Sequence, residues 1–222
     1  MDMSYRIIAT LFIGLVMSAT ASVAEELPLV FEEDFESGHD GWVMTDPAAW
    51  ALVDSDGGKA LALEKSSDYE PKVRSPKSIA RIADLNVTDF VLEAKLKQTG
   101  REYGHRDLCI FFGYQDPSKF YYCHMATEAD AHANSIFLVN DEARVSIATE
   151  RTDGTDWGKP TFHTVRIERD TESGTITVYF DDMDKPIMKA EDKNFTWGSI
   201  GFGSFDDVGQ FDNIKIWGKT KD

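Results

Sequence analysis

The sequence predicts an all-β protein built as a two-sheet antiparallel β-sandwich. Three observations carry this: hydrophobic residues recur with period two from Leu29 onward, the runs are separated by Gly, Asp, Asn and Pro, and almost nothing has helical spacing. In chain order the strand runs cover residues 29–35, 50–53, 60–63, 78–81, 90–97, 108–114, 120–125, 135–139, 144–148, 164–168, 175–180, 187–190, 199–203 and 210–217. Phe90, Leu92, Ala94 and Leu96 alternate with Val91, Glu93, Lys95 and Lys97, which describes a strand with one wet face. Val165 and Ile167 alternate with Thr164, Arg166 and Glu168. After Glu172-Ser173-Gly174, Ile176, Val178 and Phe180 share a face, so the two runs form a hairpin. More than a dozen strands without a helix indicate a sandwich, and no repeat, low-complexity tract or linker divides residues 25–222 into two domains.

Residues 1–24 read as a signal peptide. Arg6 precedes an apolar run over 7–17 interrupted at Thr10, and Ser22-Val23-Ala24 stand before Glu25-Glu26. The run is shorter than the ~20 residues of a bilayer crossing, so membrane insertion is not expected. No Cys follows Ala24 to carry a lipid. The expected location is secreted or periplasmic, in an oxidising compartment.

The chain of 222 residues is long enough to build a core without disulfides or a metal. Its 39 acidic against 23 basic residues give a net charge of −16. Such a balance argues against a polyanionic partner, nucleic acid above all, because that affinity comes mostly from Lys and Arg on phosphates. Sugars, metals and proteins stay open as partners.

Cys109 and Cys123 lie in the runs 108–114 and 120–125, joined by Gln115-Asp116-Pro117-Ser118-Lys119. A turn centred on Pro117 places Tyr122 opposite Phe112 and His124 opposite Ile110. The two cysteines are then diagonal neighbours, and a disulfide between them needs a one-step register shift or a bulge. Two buried thiols are the alternative.

Three of the five histidines fall between 105 and 132. His105-Arg106-Asp107 precedes the Cys109 strand, Tyr121-Tyr122-Cys123-His124 lies on its partner, and Asp130-Ala131-His132-Ala133-Asn134 opens the next. Aromatic faces stack on sugar rings while His, Arg, Asp and Asn bond hydroxyls, so His105, Arg106, Asp107, Tyr122, His124, His132 and Asn134 are candidate ligand-binding residues. Trp157, in the turn-rich Thr152-Asp153-Gly154-Thr155-Asp156-Trp157-Gly158, is a candidate sugar platform or else a lid over one end of the sandwich. A catalytic version of the cluster uses His124 or His132 with Asp107 for proton transfer. Zinc lacks support, because neither Cys-x-x-Cys nor His-Glu-x-x-His occurs.

Phe31-Glu32-Glu33-Asp34-Phe35-Glu36-Ser37-Gly38 with Gly41-Trp42 at the start resembles the concanavalin A-like lectin/glucanase superfamily. So does the end, Gly198-Ser199-Ile200-Gly201-Phe202-Gly203-Ser204-Phe205 with Phe211-Asp212-Asn213-Ile214-Lys215-Ile216. Within it the chain is similar to secreted bacterial laminin-G-like and 3-keto-disaccharide-hydrolase-type domains. The resemblance implies a jelly roll with adjacent first and last strands and a concave sheet whose open face holds an oligo- or polysaccharide. It implies a carbohydrate-binding domain first, a glycoside hydrolase or polysaccharide lyase second, and a laminin-G-type protein-interaction module third. The chain is expected to act as a monomer. Glu32, Asp34 and Glu36 match the Glu-x-Asp-x-Glu of laminarinase-like glycosidases, but on the first strand rather than in mid-chain. A structural Ca2+ joining first and last strands gives Asp34, Asp206, Asp207 and Asp212 as candidate ligands, with Asp54-Ser55-Asp56-Gly57-Gly58 a further oxygen-rich turn.

Overall fold

The computed structural model describes residues 27–221, so the signal peptide expected over residues 1–24 lies outside the described residues. Sixteen strands form two antiparallel sheets. They are β1 (Leu29–Glu33), β2 (Trp42–Met44), β3 (Trp50–Ser55), β4 (Gly58–Leu63), β5 (Ser78–Ile82), β6 (Val87–Gln98), β7 (Asp107–Asp116), β8 (Lys119–Ala126), β9 (Ser135–Asn140), β10 (Val145–Ser146), β11 (Ala148–Arg151), β12 (His163–Arg169), β13 (Thr175–Phe180), β14 (Pro186–Glu191), β15 (Ser199–Ser204) and β16 (Gly209–Thr220). The nine-stranded sheet runs β11-β14-β13-β12-β6-β16-β4-β3, with β1 beside the second half of β16. The seven-stranded sheet runs β10-β9-β8-β7-β15-β5-β2. First and last strands are adjacent, with Glu32 opposite Lys215.

Every strand run read from the sequence is present. The additions are the short β2 and a 3-10 turn at Pro47–Ala49, whose Ala48 N–H is capped by the Asp46 carboxylate. The run over 144–148 is divided: β10 pairs with β9 in one sheet, and after Ile147 the chain crosses to pair β11 with β14 in the other. The hairpin turn between β3 and β4 consists of Asp56 and Gly57, both at positive φ (47° and 95°) as a type I′ turn requires. That requirement accounts for the Asp and Gly content of this turn without a cation.

Between the sheets lies a core in which Phe90, Leu92, Leu96, Ile214 and Ile216 face Leu108, Ile110, Phe112, Tyr121, Cys123 and Met125. The seven-stranded sheet is apolar on its other face too. Phe111, Tyr122 and Phe137 stack there in a row, and Tyr114 stacks on Phe120. The chain between β4 and β5 packs on this outer face, with Val73 against the rings and Ser67 and Ser75 buried. Double coverage explains why β7 and β8 read as continuous apolar runs rather than alternating ones.

The hairpin register differs from the expected one. Its turn is centred between Pro117 and Ser118, with Asp116 opposite Lys119, and β7 then bulges around Gly113 at φ 56°. Below the bulge Tyr122 is opposite Phe111, and His124 opposite Cys109. Cys109 therefore faces the outer cluster and Cys123 the inter-sheet core, where its sulfur lies 3.9 Å from that of Met188. Both thiols are free and buried, the second of the two arrangements the sequence left open.

Gly203 stands next to last in β15, between Ile79 and Cys109 of the flanking strands. A Cβ there would stand 1.8 Å from the Ser78 carbonyl oxygen, a main-chain atom that cannot turn aside. Gly203→Ala is expected to destabilise by about 1–3 kcal/mol through forced strand separation. Gly41→Ala, with nothing within 4 Å of the added carbon, is expected to be nearly neutral. Thermal denaturation of the two variants measures the difference, and equal midpoints would contradict the close approach of β15 to β5.

Candidate functional site

Strand ends and loops meet on the outer side of the seven-stranded sheet. Asp107 opens β7, His124 lies near the end of β8, and the short segments carrying His105, His132, Phe205 and Asp206 converge above them. Together with Arg74, Tyr103 and Arg144 they line a cleft of about 180 Å3. His105, Asp107, His124 and His132 are thus brought to one place, as the sequence cluster anticipated. Asp206, expected as a calcium ligand, joins them.

The floor of the cleft is fixed by hydrogen bonds. Asp107 is 1% exposed, and its carboxylate accepts from the Ser204 hydroxyl (3.1 Å), the Phe205 N–H (3.1 Å) and the Cys109 thiol (3.2 Å). Burial dominates over these bonds and, with the negative charge of Asp207 nearby, pushes its pKa up to about 8. Asp207 accepts from the Tyr103 hydroxyl (2.6 Å) and the Asp107 N–H (3.1 Å), and burial raises its carboxyl as well.

His124 Nδ1 accepts the main-chain N–H of Asn134 at 3.2 Å, which leaves the ring proton on Nε2, directed at Asp107 Oδ2 3.6 Å away. Burial, then the Arg144 charge, lowers the His124 pKa to about 3, so the ring is neutral. Asp107, Cys109 and His124 stand within 4.8 Å of one another, but this trio does not suit zinc. A metal on Nε2 needs the proton on Nδ1, against the Asn134 N–H, and burial holds the Cys109 thiol protonated.

Four expected ligand-binding residues serve the framework instead. Tyr122 is fully buried between Phe111 and Phe137, and only its hydroxyl is used, accepting from Arg144 Nη1 at 2.7 Å. Asn134, at φ 50°, donates to the Thr152 carbonyl and accepts from the Thr155 hydroxyl. Trp157 is 1% exposed, donates its indole N–H to the Met125 carbonyl and packs edge-on against Phe180 and His163. It is a core residue and not a sugar platform. Arg106 is buried on the far side of Tyr103, reaching the Gly158 carbonyl at 3.4 Å. His105 forms an exposed pair with Asp130 (2.8 Å), whose other oxygen accepts the His132 N–H (2.6 Å).

The expected calcium ligands divide. Asp206 and Asp207 stand with Asp107, their carboxylate oxygens within 4.8 Å of one another. Asp212 lies instead in β16, where it accepts two N–H groups of Asn213, and its pKa is raised by burial with Asp34 and Glu36 near. The alternation expected of Glu32, Asp34 and Glu36 is not continued, because β1 ends at Glu33 and Phe35 at φ 58° turns the chain between Asp34 and Glu36. Glu32 pairs with Lys215, and Glu36 accepts the Lys59 N–H.

Sequence reasoning missed Arg74, Tyr103, Arg144 and Phe205. Tyr103 stands two positions from His105 and was within reach of a local reading. Arg74 and Arg144 meet only because the main-chain N–H of Arg144 donates to the Arg74 carbonyl (3.0 Å), a long-range contact with no sequence signal.

No protein-family model and no curated protein matches the chain. Solved structures do resemble it. Carbohydrate-binding module CBM66 from Bacillus subtilis superposes with a TM-score of 0.55 at 19% identity, over 80% of this chain and 95% of that one. Domain 4 of AbnA, a GH43 extracellular arabinanase from Geobacillus stearothermophilus in complex with arabinotriose, gives 0.55 at 13% identity over 88% and 95%. The metal-free form of lectin I-B4 from Griffonia simplicifolia gives 0.55 at 13% over 85% and 98%. The fold is therefore the concanavalin A-like jelly roll.

The two perturbed groups on the cleft floor tie stability to pH in opposite directions. Asp107, raised when folded, contributes stability that is present below about pH 4 and is lost as pH rises toward about 8. His124, lowered when folded, withdraws stability as pH falls below about 6.5. Between pH 6.5 and 8 only the first of the two acts, so stability is expected to fall over that interval by up to about 1.4 kcal/mol per pH unit, and the melting temperature with it. Asp107→Asn, which keeps the neutral shape, is expected to flatten the fall. An unchanged slope in that variant would mean that Asp107 is ionised in the folded protein.

Proposed function

We propose that the chain is an exported, lectin-like carbohydrate-binding domain whose ligand, an oligo- or polysaccharide, is held at the cleft and not cleaved. One observation carries this reading. The exposed or half-buried side chains lining the cleft include Arg74, Tyr103, His105, His132, Arg144 and Asp206, hydrogen-bonding and stacking groups of the kind that hold sugar hydroxyls and rings. The groups that would serve as acid and base, Asp107 and His124, are sealed beneath them and committed to protein partners. The likeness to a carbohydrate-binding module, to an arabinanase domain complexed with arabinotriose and to a lectin supports the same reading. The domain is taken to be a monomer spanning residues 25–222, exported by its first 24 residues and free of nucleic acid.

A second reading has one observation in its favour. Asp107, His124 and His132 do line a single cleft, as a glycoside hydrolase or polysaccharide lyase on this fold would need. A glycan-array screen, followed by reducing-end and unsaturated-product assays on the bound glycans, separates the two. Binding without product is expected. Product formation that disappears in His124→Gln would transfer the function to the enzyme.

Calcium remains part of the proposal. Asp107, Asp206 and Asp207 offer hard oxygens at one point, and a divalent cation would offset the burial, and the lesser repulsion among them, that raise Asp107 and Asp207. Millimolar Ca2+ is expected to raise the melting temperature of chelator-treated protein, and Asp206→Asn to abolish the rise. No shift on adding Ca2+ would remove the ion from this site.

A further inference from the structure

We infer that the cleft is specific for an acidic sugar residue, one carrying a carboxylate or sulfate, which Arg144 and Arg74 hold through the oxyanion. This rests on the carbohydrate-binding reading and names its ligand class.

Arg144 is a guanidinium placed with care and left largely unused. Its charge sits 4.3 Å from the ring centre of Phe205 and 4.8 Å from that of Phe137, and Nη1 donates to the Tyr122 hydroxyl. Among the described residues it makes no ion pair and no other side-chain hydrogen bond. Two other arginines without a carboxylate partner are satisfied by main-chain carbonyls. Arg151 donates to the carbonyls of Asp130, Ala133 and Asn134, and Arg169 to those of Gly174, Thr175, Asp192 and Phe195. Arg144 has no such carbonyls, yet the aromatic contacts fix its plane at the wall of a cleft. A fixed guanidinium with free N–H groups matches a carboxylate or sulfate, which accepts two parallel bonds.

Arg74 lies on the same wall, held to Arg144 by main-chain hydrogen bonding and likewise without an ion pair among the described residues. Among the described arginines only Arg166 is ion-paired, so what sets Arg74 and Arg144 apart is that they are adjacent and line one cleft. The carboxyl of Asp107 pairs with neither arginine, being taken up by the Ser204 hydroxyl, the Phe205 N–H and the Cys109 thiol, and the Asp130 carboxylate is engaged by His105. Asp206 stands as the exposed acid of the cleft and favours a ligand whose anionic group lies toward the arginines and whose hydroxyls lie toward Asp206.

The cleft, at about 180 Å3, is below the roughly 300–1,000 Å3 of sites that enclose a drug-sized ligand, so it takes one ring. That size reconciles an acidic ligand with an acidic protein. A long polyanion along the surface is repelled, whereas a single acidic unit at a chain end or branch meets only the local positive wall.

The test is calorimetric titration of the full mature protein, in chelator and at about 0.15 M salt, so that no cation supplies the attraction. The probes are glucuronate and galacturonate, their neutral parents glucose and galactose, and a sulfated galactose. Tighter binding of at least one acidic sugar than of its neutral parent, by tenfold or more, is expected. Arg74→Gln, on an exposed side chain, is expected to lose most of that preference, Arg144→Gln all of it, and Arg144→Lys to restore only part. Circular dichroism and melting temperature show whether Arg144→Gln is folded, and Arg74→Gln decides the matter if it is not. The uronate and sulfate arms identify the oxyanion. Equal or tighter binding of the neutral parents overturns the inference and leaves carbohydrate binding standing. An acidic preference that survives both arginine substitutions also overturns it. No binding of any sugar here or on the glycan array overturns both readings together.

Discussion

The seven-stranded sheet is buried on both faces at β7 and β8, and most of what distinguishes this sandwich follows from that burial. An antiparallel sheet in a sandwich ordinarily leaves one face to water, and its strands alternate. Here Phe111, Tyr122, Phe137, Tyr114 and Phe120 fill the outer face with stacked rings, and the chain between β4 and β5 lies across them. Burying such rings contributes roughly 1.5–3 kcal/mol each by transfer out of water, enough to hold a segment that has no strand or helix of its own. The same coverage removes the open sheet face on which a glycan would stack. The cleft proposed for recognition lies instead at the rim, where Asp107 and His124 mark the ends of the buried strands.

Much of the fold was legible because it depends on local pattern. Alternation in β6, β12 and β13 named the inward residues, and the closing Phe211-Asp212-Asn213-Ile214-Lys215-Ile216 fell on the last strand beside the first. Register was less legible. A bulge at Gly113 changes the partner of every residue beyond it, and no apolar count distinguishes a Pro117-centred turn from one centred between Pro117 and Ser118. The division of the 144–148 run between sheets was hidden for a similar reason, since crossing at Ile147 leaves the composition unchanged. Phe35 gave no warning of its left-handed backbone, which a bulky residue rarely adopts.

The candidate site was half legible. Clustering of His105, Asp107, His124 and His132 in sequence did report their meeting in space, because three successive segments of one sheet carry them. Their roles did not follow. Residue type suggested that Tyr122, Asn134 and Trp157 met a sugar, whereas depth made them framework, and depth is set by the covering segment from elsewhere in the chain. The arginines that reach the cleft come from that covering segment and from the start of the β10 region. Charged side chains at single positions carry no periodicity, so only the fold could bring them forward.

Charge, the first quantity the composition offers, has two different origins in this molecule. Asp56 serves a type I′ turn, Asp46 caps a 3-10 turn, and Asp130 accepts the N–H of a residue two positions on, roles that surface loops demand of Asp whatever the ligand. These account for acidity without function. Asp107 and Asp207 are different, since burying carboxyls costs free energy that a merely structural hydrogen bond between neutral groups would avoid. Their hydrogen bonds join β7 to the segment after β15 and to Tyr103, fixing the loops that form the cleft's far wall. With His124 kept neutral opposite them, the floor is held rigid by its own hydrogen bonds, and the positive charge of Arg144 and Arg74 stands on one side of it. A cleft polarised in this way would select a ligand by the position of its charge, as inferred above, which an evenly solvated acidic surface cannot do.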